Sequence, residues 1–403
     1  MHRTRTPAAM AVLTVVLTFG AVGISTTPAA AAPCSGSGPS AGEPIYAEPW
    51  AQKRFNLSAL PPGIDGSGIV VAVLDSGSDA RNPQLRGAVE PGRDLLPDGG
   101  TDGTQDCVGH GTGVASVIAA RQVEGVAFRG IAPGAKILPL RVSERIGGQN
   151  NGRQAGVAGM AAAVRFAIDK KVDVINLSLT YNERQDVLED FRQAIREAIA
   201  ADIVVVAAVG NDKQRNNPTP YPASWEGVLG VGAVDETGQR LQASQTGPYV
   251  DLTAPGDQVT VARAFRGHGK ESGTSFAAPM VAGTVALVRQ AYPKLTEEQV
   301  RRRLMATADP APGGRRSDDY GVGILNPVRA VNEILDGQPR ASVAPLAPPA
   351  VDPAAVAAAA RAEQAHARSL WLAALGLVLA GFVLALAVAL PNGIRRRWRP
   401  AGS

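Results

Sequence analysis

The chain has 403 residues, 45% of them hydrophobic and 19% charged, with two cysteines and four histidines. Its net charge of +4 belongs to the ends: Arg3 and Arg5, and Arg395, Arg396, Arg397 and Arg399, leave 34 basic against 36 acidic residues elsewhere. That balance removes the electrostatic argument for nucleic-acid binding.

In chain order, residues 1–32 read as a secretory signal peptide: Arg3 and Arg5, an apolar run from Ala8 to Val22, then Ala-rich sequence suited to cleavage. Residues 33–66 form an N-terminal extension, and residues 67–335 are the length of an α/β enzyme domain. Residues 336–369 are a Pro- and Ala-rich linker of the semi-rigid kind. From Leu370 to Leu390 there are 21 residues without a charge, enough for a transmembrane helix. The arginines of 391–403 place that tail in the cytoplasm and the body outside. No internal repeat is visible. Both cysteines, Cys34 and Cys107, fall in the exported part, where a disulfide between them is expected. Cys107 and His110 have a suggestive metal spacing, but only Cys34 and His268 remain to complete it, so no metal and no cofactor is expected.

Within the body, Ile69–Leu74, Val172–Leu179 and Ile203–Val209 are apolar, β-branched runs of strand length, as in strands covered on both faces. Ile137–Val142, Val228–Val234 and Tyr249–Ala254 read as further strands. Helices are predicted over Gly156–Ile168 and Glu183–Ala201, and from the capping box Thr296–Gln299 to about Ala308. The alternation predicts an α/β fold: a mostly parallel sheet with helices on both faces.

The chemistry gathers where these elements end. Asp75 closes the first buried strand, where open α/β sheets place their sites. His110 lies in Gly109-His110-Gly111-Thr112-Gly113, before the apolar run Val114–Ala120. Glycines there allow close approach of backbone and substrate. The alternative base, His268, lies in a polar, Gly-flanked stretch that reads as an exposed loop. Asn211 follows the third buried strand. Gly273–Pro279 opens a helix to about Tyr292 whose residues are almost all small or apolar, hence buried. Ser275 stands at its mouth, beside the unpaired amides and positive end of the helix. Pro279 is expected within the first turn, where no amide bond is lost.

The order Asp, His, Ser, with Val-Leu-Asp-Ser-Gly at 73–77, Gly-His-Gly-Thr at 109–112, Ala-Ala-Val-Gly-Asn at 207–211 and Gly-Thr-Ser-Phe-Ala-Ala-Pro at 273–279, resembles the subtilisin-like serine proteases. The resemblance runs from about Gly68 to Asn326. It implies Ser275 as nucleophile, His110 as base, Asp75 as the group orienting it, and Asn211 in the oxyanion hole. It also implies an extended peptide pairing with Leu177, Ser178 and Leu179, and with Gly147 and Gly148 on the other edge. Leu179-Thr180-Tyr181 stands where family members often have Leu-Gly-Gly, a bulkier rim that narrows substrate tolerance. Signal peptide, protease domain, Pro-rich spacer and one C-terminal transmembrane helix further resemble the mycosins, the membrane-anchored subtilases of type VII secretion. That implies secreted protein substrates, a type VII secretion membrane complex as partner, and an N-terminal extension that wraps the domain, held by Cys34–Cys107. The alternative is a scaffold in that complex whose role does not need cleavage. An esterase would carry a Gly-x-Ser-x-Gly elbow, which is missing around Ser275.

Overall fold

A computed structural model of the chain describes residues 42–100, 102–145 and 152–335, with Gly337 and four helical positions beyond (Trp371, Leu379, Gly381 and Val383). The signal peptide, Cys34, Gly147 and Gly148, and nearly all of the linker, apolar segment and tail lie outside the described residues. Among the described residues no helix is long and apolar enough to cross a membrane. The chain divides into two compact units, 1–343 and 344–403, and the first carries everything below.

After a short helix α1 (Trp50–Phe55) come β1 (Val70–Asp75), β2 (Arg93–Asp94), α2 (His110–Ala119), β3 (Lys136–Arg141), α3 (Val157–Asp169), β4 (Val174–Leu177), α4 (Glu189–Ala200), β5 (Val204–Ala208), β6 (Val228–Val234) and β7 (Leu252–Pro255). A hairpin, β8 (Val259–Ala262) and β9 (His268–Glu271), leads into α5 (Thr274–Ala291), α6 (Glu297–Ala306) and α7 (Pro327–Asn332). Seven strands form one sheet in the order β2-β3-β1-β4-β5-β6-β7, each neighbour parallel.

Period-two alternation sends neighbouring residues of each strand into different cores. Val71, Val73, Val174, Val204 and Val206 pack with α2 and α5, whereas Ala72, Leu74, Ile175, Leu177 and Val205 pack with α3 and α4. Both faces are therefore dry, as the unbroken apolar runs predict. From β1 the chain steps to the edge strand β2, returns to β3 beside β1, then crosses to β4 on the other side of β1 and continues that way. The crevice at such a switch, beyond the carboxyl ends of the central strands, is where ligands enter open α/β sheets.

The helix expected from Glu183 begins instead at Glu189, where Glu189 and Asp190 give its positive end an acidic first turn. Pro279 is not in the first turn: α5 starts at Thr274, so the proline lies inside the helix. The larger correction concerns His268. It lies on β9 and is only 8% exposed, not in an open loop. Its Nε2 donates to Gln84 Oε1 at 2.6 Å, and its Nδ1 accepts the Ile45 N–H at 3.2 Å. Gln84 is held by donating to the carbonyls of Arg121 and Phe128. Burial, opposed by the hydrogen bond with the Glu43 backbone, keeps the His268 pKa below the ordinary histidine value.

Residues 42–59 run along the domain. Glu43 pairs antiparallel with His268, the Ala127 N–H donates to the Ile45 carbonyl at 2.9 Å, and the Trp50 indole donates to the Asp257 carbonyl at 3.0 Å. Ala51 and Phe55 of α1 enter the same core as the buried residues of α2 and α5.

Candidate active site

Asp75 ends β1, His110 begins α2, Ser275 is the second residue of α5, and Asn211 follows the loop after β5. All four border one polar cleft of about 460 Å³. Three elements that start or stop at the same sheet edge thus deliver residues as much as 200 positions apart in the chain.

The Asp75–His110 pair is the tightest part. His110 Nδ1 lies 2.8 Å from Asp75 Oδ1, which also accepts the Ser76 N–H at 2.7 Å. A carboxylate only accepts, so Nδ1 carries the proton and Nε2 is left as the acceptor. The carboxylate is 4% exposed and the imidazole 16%. Burial disfavours the imidazolium, but the charge and hydrogen bond of Asp75, with Asp106 and Glu271 further away, outweigh it and hold the His110 pKa above the ordinary histidine value. The ring packs against Phe276, with centroids 5.2 Å apart. Gly111 makes this approach possible: a Cβ there would lie 2.1 Å from the Gly77 carbonyl oxygen.

Ser275 and Ser178 are cross-linked. The Ser275 hydroxyl donates to the Ser178 carbonyl at 3.2 Å, and the Ser178 hydroxyl donates to the Ser275 carbonyl at 2.8 Å. Pro279 explains the second bond. It has no N–H for the carbonyl four residues back, so the Ser275 carbonyl is free of the helix ladder and takes its hydrogen from Ser178. To be handed to His110, the Ser275 hydroxyl has to leave the Ser178 carbonyl.

Asn211 is oriented by Thr274, whose N–H donates to Asn211 Oδ1 at 3.0 Å. That contact assigns the amide and identifies Nδ2 as its donor atom. Gly273, at φ 138°, turns the chain into α5, and a Cβ there would stand 3.1 Å from Asn211 Nδ2. The arrangement provides a base with a fixed tautomer, a hydroxyl at a helix start, and amide donors beside it. Those are the parts of nucleophilic acyl transfer.

Ser178 and Leu179 border the cleft, as do Thr180 and Tyr181. Leu177 does not: it is fully buried in β4, in register with Leu74 on one side and Ala207 on the other, which commits its backbone to the sheet. Cys107 is disulfide-bonded. Among the described residues no group of His, Cys, Asp and Glu is gathered as for a metal ion. Two residues that sequence reasoning passed over are Ser178 in its hydroxyl role and Asp106, a buried carboxylate four positions before His110. The polar loop containing Asp106 gave no signal of burial.

Residues 66–323 match the model of the subtilase family. Mycosin-1 of Mycobacterium tuberculosis is 32% identical over 361 residues, covering 77% of this chain and 80% of that protein. Among solved structures, MycP1 from Mycobacterium smegmatis superposes with a TM-score of 0.65 at 26% identity, covering 77% of this chain and 92% of that one. A chain in the periplasmic assembly of the ESX-5 inner membrane complex superposes with a TM-score of 0.64 at 30% identity, covering 80% and 93%. A parallel sheet with its site at the switch point, the Asp-His pair, and these likenesses lead to one statement: the chain belongs to the subtilase family of serine proteases and is related within it to the mycosins.

Proposed function

We propose that the chain is a serine endopeptidase that cuts secreted proteins at the outer face of the cell membrane, in association with a type VII secretion complex. Ser275 Oγ attacks the scissile carbonyl carbon while its proton passes to His110 Nε2. The oxygen becomes an oxyanion, held by the Ser275 N–H and Asn211 Nδ2. The His110 proton then goes to the leaving amine as the C–N bond breaks, and water releases the acyl group by the same steps. Asp75 keeps the tautomer and stabilises the imidazolium. The observation that carries this reading is the 2.8 Å contact between Asp75 and His110 at the mouth of the cleft shared with Ser275.

The rim supports a narrow substrate range. Thr180 and Tyr181, standing where family members often have glycines, both border the cleft with Ser275. Tyr181 is held in place by exchanging both backbone hydrogen bonds with Tyr221. A rim made bulkier at these two positions favours a narrow set of substrates.

Anchoring by residues 370–390 and a Cys34–Cys107 bridge holding the extension 33–66 to the domain belong to the same proposal. The full-length chain is expected to take up a fluorophosphonate on Ser275, with Ser275→Ala unlabelled but equally stable in a thermal melt. Absence of labelling in the wild type would sink the protease reading. The likeness to a chain inside a periplasmic secretion assembly favours a second, scaffolding role. Secretion that persists with Ser275→Ala and fails when the whole chain is deleted would establish that role.

A further inference from the structure

Helix α2, which presents His110, lacks an N-cap of its own: its cap position is Gly109, which has no side chain to offer. The task falls to Asp106. Its carboxylate is 2% exposed and accepts five hydrogen bonds. Oδ1 receives the N–H groups of Val108 at 3.0 Å and Gly109 at 2.7 Å, and the Ser76 hydroxyl at 2.9 Å. Oδ2 receives the Thr112 N–H at 2.8 Å and the Thr112 hydroxyl at 2.6 Å.

Both hydroxyls are themselves acceptors. Ser76 Oγ takes the Gly111 N–H at 2.9 Å, and Thr112 Oγ1 takes the Asp79 N–H at 3.0 Å. Their own hydrogens are therefore directed at Asp106, a set of donors matched to an ionised carboxylate. Burial pushes the Asp106 pKa up against these bonds. The network spans two segments. Ser76 and Asp79 belong to the turn leaving Asp75, while Val108, Gly109, Gly111 and Thr112 bracket His110.

We propose that Asp106 is a positioning residue of the hydrolytic reaction, locking the turn after Asp75 to the first turn of α2 so that the Asp75–His110 bond is formed before substrate arrives. This rests on the protease reading above. Asp106 touches neither substrate nor reacting atoms. It acts by geometry, since a preformed base needs no reordering at the moment of reaction, and by its negative charge near the imidazole. The charged groups that face His110 are Asp75, Asp106 and Glu271, and Glu271 is itself paired with Arg263 at 2.6 Å.

The test follows the second-order rate of fluorophosphonate labelling of the full-length chain across pH 5–9. Asp106→Asn keeps the shape, but sets an amide NH₂ against a site built of donors and removes the charge. The expected result is a fall in the pH-independent rate of about tenfold or more, together with a lower midpoint of the acid limb. Thr112→Val removes one donor and leaves the charge, so it is expected to slow labelling without moving the midpoint. It also keeps the idea testable if Asp106→Asn does not fold. Normal rates in a folded Asp106→Asn, or in Thr112→Val when Asp106→Asn is unfolded, would overturn the positioning role. If the wild type is not labelled at all, the protease reading fails and this inference with it. A wild type that labels beside an unaffected variant sinks the inference alone.

Discussion

In the proposed reaction Ser275 acts as its neighbours allow. Removing Asn211 Nδ2 while keeping the backbone, as in Asn211→Ala, is expected to lower kcat by about 10²–10³ with KM little changed; that scale is borrowed from the equivalent asparagine of subtilisin. A truncation that raised KM alone would show Asn211 to be a substrate contact and not an oxyanion donor. For His110 the sign of the pH effect is fixed by its raised pKa. The base works neutral, so activity is expected to rise with pH through a midpoint above the free-imidazole value of about 6.5. Its ion pair with Asp75 contributes stability at pH below that free value, lost as pH rises through the raised one. Asp75→Asn should move the acid limb of the rate profile downward and cut kcat by about 10⁴, since the tautomer is no longer set. An unmoved limb would show that His110 is not the titrating base.

At the level of elements, α5 does two jobs that conflict. Almost all of its side chains are buried, which anchors the serine, yet Pro279 opens the hydrogen-bond ladder one turn beyond it. Ser178, on the loop leaving β4, repairs that opening. Ser178→Ala leaves the Ser275 carbonyl without this donor, and a loss of about 1–3 kcal/mol in urea unfolding is expected. A loss confined to activity, with stability unchanged, would mean that water takes the place of the hydroxyl. The same repair explains how Pro279 sits beyond the first turn without breaking the helix.

For the whole molecule, the extension matters most. Residues 42–50 cross the hairpin, and His268 is the clip, accepting the Ile45 N–H only while its Nδ1 is unprotonated. Because burial lowers the His268 pKa, its contribution to stability is full above the ordinary histidine value and is lost as pH falls from there through the lowered one. Amide exchange at Ile45, corrected for the intrinsic pH dependence, is expected to lose protection as pH falls below about 6.5. Protection constant over that range would remove His268 from this role. Non-reducing peptide mapping is expected to recover Cys34 linked to Cys107, and reduction to cost about 2–4 kcal/mol by releasing a long loop. Two free thiols would contradict the bridge.

Asp75, His110, Asn211 and Ser275 were legible because each is bracketed by small residues and an apolar run, and a run's length and branching predict a strand or helix locally. That local physics determined the α/β class and the ends of the central strands, while the four residues were singled out by motifs resembling those of the subtilases. Only the tertiary structure decided that Leu177 does not border the cleft, that His268 is buried, and that Ser178 serves the carbonyl left open by Pro279. It also decided that Asp106 caps a helix whose own cap position is glycine. In each case a residue that looks polar and exposed, or apolar and available, is assigned by a hydrogen-bond partner or strand neighbour brought close by folding. Sequence spacing does not encode those encounters; the closing of β1, α2, β4 and α5 on one sheet edge does.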